Sequence, residues 1–327
     1  MGVTEIVTVA VEPANKLIDA VTGAIGKAYE PRHIRKMADA KAYEIKTIGD
    51  ELRNNADLPI VYDASGDFSV DISDYEALAK RAGRRIAYQE VAKQENIETI
   101  VDAAYDSLQD VHGIADGEIS REWMHRFIDA AGDISTEELQ KIWSKVLAGE
   151  VLEPSSFSLR TLECLRNLDA RDANLFEHLC EFVISNRSVI NDDEFLRKHG
   201  MPYAFILRLD ESGLLNSSGT ISFTKEISAE PELIIDFGEY ILMAISEEKM
   251  KFSLQEFPLT AAGRELSMIV DCKMNVEMIM EICQIVAKNN SKINLTLHKV
   301  NYRDGDSINY EDTPINFSVP SEVDATM

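Results

Sequence analysis

Between Ile119 and Val183 apolar residues recur every three or four positions in four successive runs, the period of α-helices that each bury one face. The first run sets Trp123, Phe127 and Ile128 on one side. The second begins with Ser135 and Glu138 at capping-box spacing, in which each side chain satisfies a backbone N–H that the first turn leaves unpaired. It continues through Leu139, Ile142, Trp143, Val146 and Leu147 to Gly149, a residue suited to a helix stop. The third run carries Leu159, Leu162, Leu165 and Leu168, and the fourth Leu175, Phe176, Leu179, Phe182 and Val183. Amphipathic helices with short connections bury their stripes against one another, so 111–190 reads as a four-helix region. Trp123, Phe127, Leu139, Trp143 and Leu147 are expected in its core rather than on a ligand platform.

Upstream the pattern is thinner. Residues 1–53 read as two amphipathic helices. Pro13 suits the first turn of the first helix, whose stripe is Leu17, Ile18, Val21 and Ile25, with Ala20, Gly23, Ala24 and Gly26 between them. Small residues allow close approach to a partner helix. The segment fits a subunit-contact helix, a helix lying on a membrane, or the first helix of the fold. The second helix opens at Pro31, with Ile34, Met37, Ala38, Ile45 and Ile48 on a thin apolar face and Lys27, Arg32, Arg35, Lys36, Lys41 and Lys46 around it. Residues 54–75 are rich in Asn, Asp, Gly and Ser and read as a linker, with a short strand at Pro59–Tyr62. Asp63, Asp67, Asp71 and Asp74 do not match a calcium loop, which needs its Gly and terminal Glu. Residues 76–110 read as one long connecting helix with Leu78, Ala82, Ile86, Val91, Ile97, Ile100 and Val101 apolar and a small basic spot at Arg81, Arg84 and Arg85.

Downstream the period changes. Ser185–Asn191 reads as a turn-rich break, followed by a short helix capped by Asp192 or Asp193. Next comes a helix with Phe205, Ile206, Leu209 and Leu214 apolar, ended by Gly213. Runs of Val, Ile, Phe and Tyr broken by Gly and Pro then have strand composition. A helix capped by Thr260, an apolar helix from Val276 and an alternating strand before Arg303 complete 191–301. Helix, helix, strands, helix is the order of a winged helix with an elaborated wing. Residues 302–327 read as a polar, acidic, partly disordered tail. The expected fold class is mainly α: helical N-terminal and central regions, then a winged-helix-like α+β module.

Composition narrows function mainly by exclusion. The formal net charge of −24 disfavours a large nonspecific nucleic-acid surface. The candidate recognition helix adds to this, because it offers Arg208 and then Asp210 and Glu211, with Arg197, Lys198 and His199 before it. Cys164, Cys180, Cys272 and Cys283 form no CxxC, and the histidines (His33, His112, His125, His178, His199, His298) show no metal-ligand spacing. No phosphate loop, nucleophile elbow or dinucleotide fingerprint occurs, and the pairs Glu137–Glu138 and Glu247–Glu248 read as solvated faces. No catalytic residue, cofactor or metal is expected. The apolar runs are too short for an ordinary membrane span and no leader pattern opens the chain, so a cytoplasmic location is expected.

The run from Asp133 to Val183, the segment Lys93–Glu98 (KQENIE), the pattern Ile206–Leu215 and the box Leu259–Leu266 (LTAAGREL) resemble a bacterial domain-of-unknown-function family, numbered 2806. Trp143, Leu147, Ala148, Gly149, Glu150 and Pro154–Ser158 match its central signature, and the likeness covers most of 76–270. Some such proteins resemble abortive-infection or phage-defence components. The resemblance therefore implies an antiviral setting and carries over no catalytic residue. The leading expectation is a noncatalytic protein that self-associates and binds a protein partner. Leu17, Ile18, Val21 and Ile25 would then pack between subunits and the C-terminal module would dock. The alternatives are a membrane-acting effector that uses residues 1–50 and a nucleic-acid-binding winged helix.

Overall fold

The computed structural model describes residues 3–25, 61–62, 68–69, 73–109, 111, 113, 115–217, 222–228, 233–305 and 307–317. Contacts divide the chain into two compact units, Met1–Ser156 and Phe157–Met327. Helices dominate overall, and the second unit adds two four-stranded antiparallel sheets to make a mixed α+β module. The helix expected from Pro31 and most of the 54–75 linker lie outside the described residues.

The first unit contains α1 (Val3–Ile25), α2 (Ser73–Leu108), α3 (Arg121–Ala131) and α4 (Glu137–Leu152). A small antiparallel pair, β1 (Val61–Tyr62) and β2 (Phe68–Ser69), sets Val61 opposite Ser69. Its helices pack because each offers one apolar stripe. α2 lies mainly on α4, while α1 lies on α3 and α4. Leu17, Val21, Ile100, Val101, Ala104, Leu108, Phe127, Trp143, Val146 and Leu147 are fully buried. Trp123 stacks on Phe127 at 5.1 Å, and Phe127 meets Trp143, tilted, at 5.1 Å. Such pairs add about 0.5–1.5 kcal/mol beyond burial. Asn96 Nδ2 donates to Gly132 O (2.9 Å), tying the α3–α4 turn to α2, and Gln140 Nε2 donates to Ile134 O (3.0 Å), tying it to α4.

Several local expectations change here. α4 starts at Glu137 with Thr136 as its N-cap and no side-chain capping bond, so the Ser135–Glu138 box is not formed. Glu137 and Glu138 instead sit in the first turn, where carboxylates favour the helix dipole. Gly149 does not stop α4, which runs on to Leu152 because Val151 is pulled into the core. The buried Glu150 then accepts from Ser155 N–H (2.7 Å), closing the turn in which Ser155 adopts φ 73°. Pro13 lies inside α1 rather than at its start. The helices of 111–190 also take different partners: α3 and α4 join α1 and α2, whereas the next two helices pack within the second unit.

The second unit begins with α5 (Leu159–Arg166) and α6 (Ala170–Cys180), then the hairpin β3 (Val183–Ile184) and β4 (Ser188–Ile190). The hairpin replaces the simple break expected at Ser185–Asn191. Ser185 and Asn186 take φ 51° and 50°, and Arg187 N–H donates to Ile184 O (3.1 Å). Two successive left-handed residues make the turn whose twist suits paired strands. There follow α7 (Asp193–Lys198), α8 (Tyr203–Glu211), β5 (Ser222–Ile227), β6 (Leu233–Asp236), β7 (Tyr240–Ile245), β8 (Met250–Pro258), α9 (Ala261–Ser267), α10 (Val276–Asn289), β9 (Asn294–Asp304) and β10 (Ser307–Tyr310). One sheet runs β3-β4-β8-β5 and the other β10-β9-β7-β6. The polar stretch after 301 is no simple tail through 317. β9 extends to Asp304, β10 returns along it, and Glu311 O meets His298 Nδ1 at 2.8 Å.

Candidate functional site

α6 and α8 are locked together through charge. Asp169 and Asp172 form a reciprocal capping box at the start of α6. Asp169 Oδ1 accepts from the N–H groups of Arg171 and Asp172 (both 2.8 Å), and Asp172 Oδ2 accepts from Asp169 N–H (3.1 Å). Arg208 on α8 donates Nε to Asp172 Oδ1 (2.6 Å) and Nη2 to Asp169 Oδ2 (2.9 Å). The Asp172 backbone N–H, with further help from Arg171 and Arg208, holds the Asp169 carboxyl below the usual aspartate value. Hydrogen bonding to Asp172 raises Arg208 further above its already high value.

Beside this clamp lies an open cleft of about 920 Å³, lined by Arg160, Glu163, Cys164, Asp172, Arg208 and Thr260 among others. Its floor is built from the LTAAGREL box. Thr260 N–H donates to Leu214 O (3.0 Å), Thr260 Oγ1 donates to Gly213 O (2.7 Å), and the same oxygen accepts from Gly263 N–H (3.0 Å), capping α9. Gly263 has to be glycine, since a Cβ there would stand 1.9 Å from Leu214 O. Glu265 reaches back to cap α5, accepting from Ser158 N–H (2.7 Å) and from Thr161 Oγ1. The cleft's thiol is chemically quiet: burial pushes Cys164 up to about 11, and its S–H donates to Ser212 O (3.2 Å). No group of three or more His, Cys, Asp or Glu that could hold a metal occurs among the described residues.

α8 also exposes apolar side chains, on both flanks of its buried stripe: Tyr203 and Leu207 on one, Phe205 on the other. Ile206 and Leu209 point into the core at 0% exposure, while Tyr203, Phe205 and Leu207 stand 48%, 42% and 41% exposed. Phe205 thus departs from the buried face expected of it, because a nine-residue helix resting on one side exposes the positions flanking Ile206. Elsewhere in the unit, Lys198 Nζ and His199 Nε2 both meet Glu281 of α10, at 2.7 and 2.9 Å. Arg187 lies 4.0 Å above the Phe223 ring and bonds Glu256 (3.1 Å).

Trp123, Phe127, Leu139, Trp143 and Leu147 are all buried in the first unit. Leu17 and Val21 are buried there too, Ile18 is half-buried, and the Ile25 side chain lies outside the described residues. Among the described residues no helix is long and apolar enough to cross a membrane. Three features of the second unit were not singled out from sequence: the Asp169–Asp172 box, its bond to Arg208, and the Glu265 cap. The first has a local signal, an Asp three residues before another Asp ahead of an apolar run. The other two join positions far apart in the chain and have none.

No curated protein and no solved structure is similar to the chain at a significant level. The family described as "Protein of unknown function (DUF2806)" matches residues 80–283, well over half of the sequence. That span takes in the α4 signature, the clamp between α6 and α8 and the LTAAGREL box, and the chain belongs to the DUF2806 family.

Proposed function

We propose that the protein is a noncatalytic interaction module whose second unit docks on another protein through α8. The order β4, α7, α8, β5, β8, with β8 between β4 and β5 in the sheet, supports reading this part as a winged helix. In that reading α8 is the recognition helix, and β6 and β7 elaborate the wing. The observation that carries the proposal is the chemistry of α8. A DNA reader presents cations or amides to base edges. Here Arg208, the helix's only cation, is engaged by Asp169 and Asp172, and the exposed positions are Tyr203, Ala204, Phe205, Leu207 and Glu211, none of them a cation or an amide. Aromatic and aliphatic side chains of this kind anchor protein interfaces. A membrane-acting role for residues 1–50 has less support, since burial of Leu17 and Val21 commits that stripe to the first unit's own core. Antiphage defence is the setting that the family resemblance suggests for the partner.

The test is purification of the tagged full chain from its native cell, wild type beside a Phe205→Glu/Leu207→Glu variant of equal thermal stability. A stoichiometric protein partner that is lost from the variant is the expected result. Identical co-purifying proteins in both samples, or nucleic acid that washes off with salt, would contradict the proposal.

A further inference from the structure

Two of the four thiols meet. Cys180 ends α6, Cys272 sits ninety-two positions later in the connection between α9 and α10, and a thiol–thiol hydrogen bond joins them. Cys180 is buried, Cys272 is half-buried, and both are free thiols. The connection is tied down on either side of Cys272. Ser267 Oγ meets Asn186 Oδ1 of the β3–β4 turn at 2.7 Å, and Lys273 Nζ donates to Glu239 Oε1, in the turn before β7, at 2.8 Å. Between these ties the chain forms no helix or strand, and none of residues 267–277 is buried. It can therefore give by the short distance that separates a thiol–thiol contact from a bond. The other two thiols are placed differently: Cys164 donates to Ser212 O, and Cys283 lies on the face that α10 buries.

A contact of this kind divides the work of oxidation between the two sulfurs. Cys180 S–H donates to the Cys272 sulfur, and this bond holds the Cys272 thiol below its ordinary value, although burial and the carboxylates of Glu181, Asp271 and Glu177 oppose it. Cys272 is thus both the thiol that ionises and the one that solvent reaches. The same carboxylates select the oxidant. They repel an anionic disulfide such as oxidised glutathione and leave neutral hydrogen peroxide free to approach. Among the described residues no third metal-ligating side chain joins the pair.

We infer that Cys180 and Cys272 form a peroxide-oxidised pair, which closes into a disulfide that ties the end of α6 to the α9–α10 connection. The Cys272 thiolate attacks one oxygen of hydrogen peroxide. The S–O bond forms, the O–O bond breaks, and the departing hydroxide takes up the proton that Cys272 released, leaving as water; Cys272 is now a sulfenic acid. The Cys180 sulfur then attacks the Cys272 sulfur. The S–S bond forms, the S–O bond breaks, and hydroxide leaves with the Cys180 proton as a second water. In all, two thiols give up two electrons and two protons, and one peroxide becomes two waters. The buried Cys180 needs no access to solvent, because its partner sulfur brings the oxidising equivalent to it. The closed bridge spans ninety-two positions, and a tie across so long a loop stabilises the fold mainly by restricting the unfolded chain.

The test is treatment of the reduced full chain with a small excess of hydrogen peroxide, followed by unfolding, alkylation and peptide mass mapping. The Cys180 and Cys272 peptides should be recovered joined and lighter by two hydrogens, with Cys164 and Cys283 still alkylated, and dithiothreitol should reverse the change. The oxidised chain should unfold at a higher denaturant concentration than the reduced one. Cys272→Ser should abolish the bridge. Cys180→Ser should leave Cys272 as a sulfenic acid that dimedone labels, with Cys180→Ala in its place if circular dichroism shows that the buried hydroxyl disturbs the fold. Oxidised glutathione at the same concentration should leave the chain unmodified. Four alkylated thiols after peroxide, Cys272 carried on to sulfinic acid without a bridge, a bridge between two chains, or one that uses Cys164 or Cys283 would overturn the inference. A glutathione adduct on Cys272 would overturn it as well, since the carboxylates would then select nothing.

Discussion

Gly263 and Trp143 show how different the reasons for a residue can be. At Gly263 the space for a Cβ is already filled by the Leu214 carbonyl oxygen, which is backbone and cannot swing aside. Gly263→Ala should therefore destabilise the protein by about 3 kcal/mol or more, at or beyond the upper end for overpacking. A denaturant titration measures this, and a variant within experimental error of wild type would refute it. Trp143 is fully buried, yet its indole N–H has no hydrogen-bond partner among the described residues. Its value lies in volume and ring contact, so Trp143→Ala should lose roughly 3–5 kcal/mol. Trp143→Phe should lose much less, since it abandons no bond; equal losses in the two variants would show that the N–H matters after all. Thiol reactivity follows the same local logic. Burial raises the free thiols Cys164 and Cys283, and a thiol–thiol hydrogen bond with Cys272, followed by burial, raises Cys180. That same bond lowers Cys272, which is only half-buried. At neutral pH Cys272 should be the first thiol alkylated, as peptide mass mapping after a short iodoacetamide pulse would record.

At the scale of elements, two ion clusters join helices distant in sequence and give stability a definite pH sense. The Asp169 carboxyl is held below its ordinary value by the Asp172 N–H and its other donors. Burial opposes the shift at Glu281, but hydrogen bonds from Lys198 and His199 still lower its pKa. A carboxyl with a depressed folded value stabilises the fold above its unfolded pKa and loses that contribution as pH falls through the folded one. The chain should accordingly lose stability on acidification below the ordinary carboxylate range, and Arg208→Gln should flatten that loss. Unfolding midpoints at stepped pH would show it; parallel curves for wild type and variant would exclude the α6–α8 clamp as a source. The two halves of α2 should also separate in hydrogen exchange. Amides from Ile97 onward should be protected, and those of 77–92 should exchange much faster, since no residue of that stretch is buried.

Much of this element pattern was legible because it rests on short-range periodicity. The stripes of α3, α4 and α10 and the Thr260 cap can be read within a few residues of each other. What escaped depends on tertiary partners. α4 passes Gly149 because Val151 has a core to enter, and α1 continues upstream of Pro13. The α8 surface was half legible: Arg208 stood out, but the carboxylates that occupy it lie 36 and 39 positions away.

For the whole molecule, the segments that mark the family read as construction rather than chemistry. Glu150 closes a turn, Thr260 and Glu265 cap helices, and Gly263 permits a close backbone approach. The net charge of −24 disfavours anionic polymers, and α8 exposes Tyr203, Phe205 and Leu207 beside a single exposed carboxylate, Glu211. The most direct measurement is photocrosslinking in living cells from a benzophenone amino acid placed at Leu207 of the full chain. The account predicts a discrete protein adduct that disappears when Tyr203→Glu, on the same flank of α8, is added. Adducts to nucleic acid, or a protein adduct that Tyr203→Glu leaves intact, would contradict it.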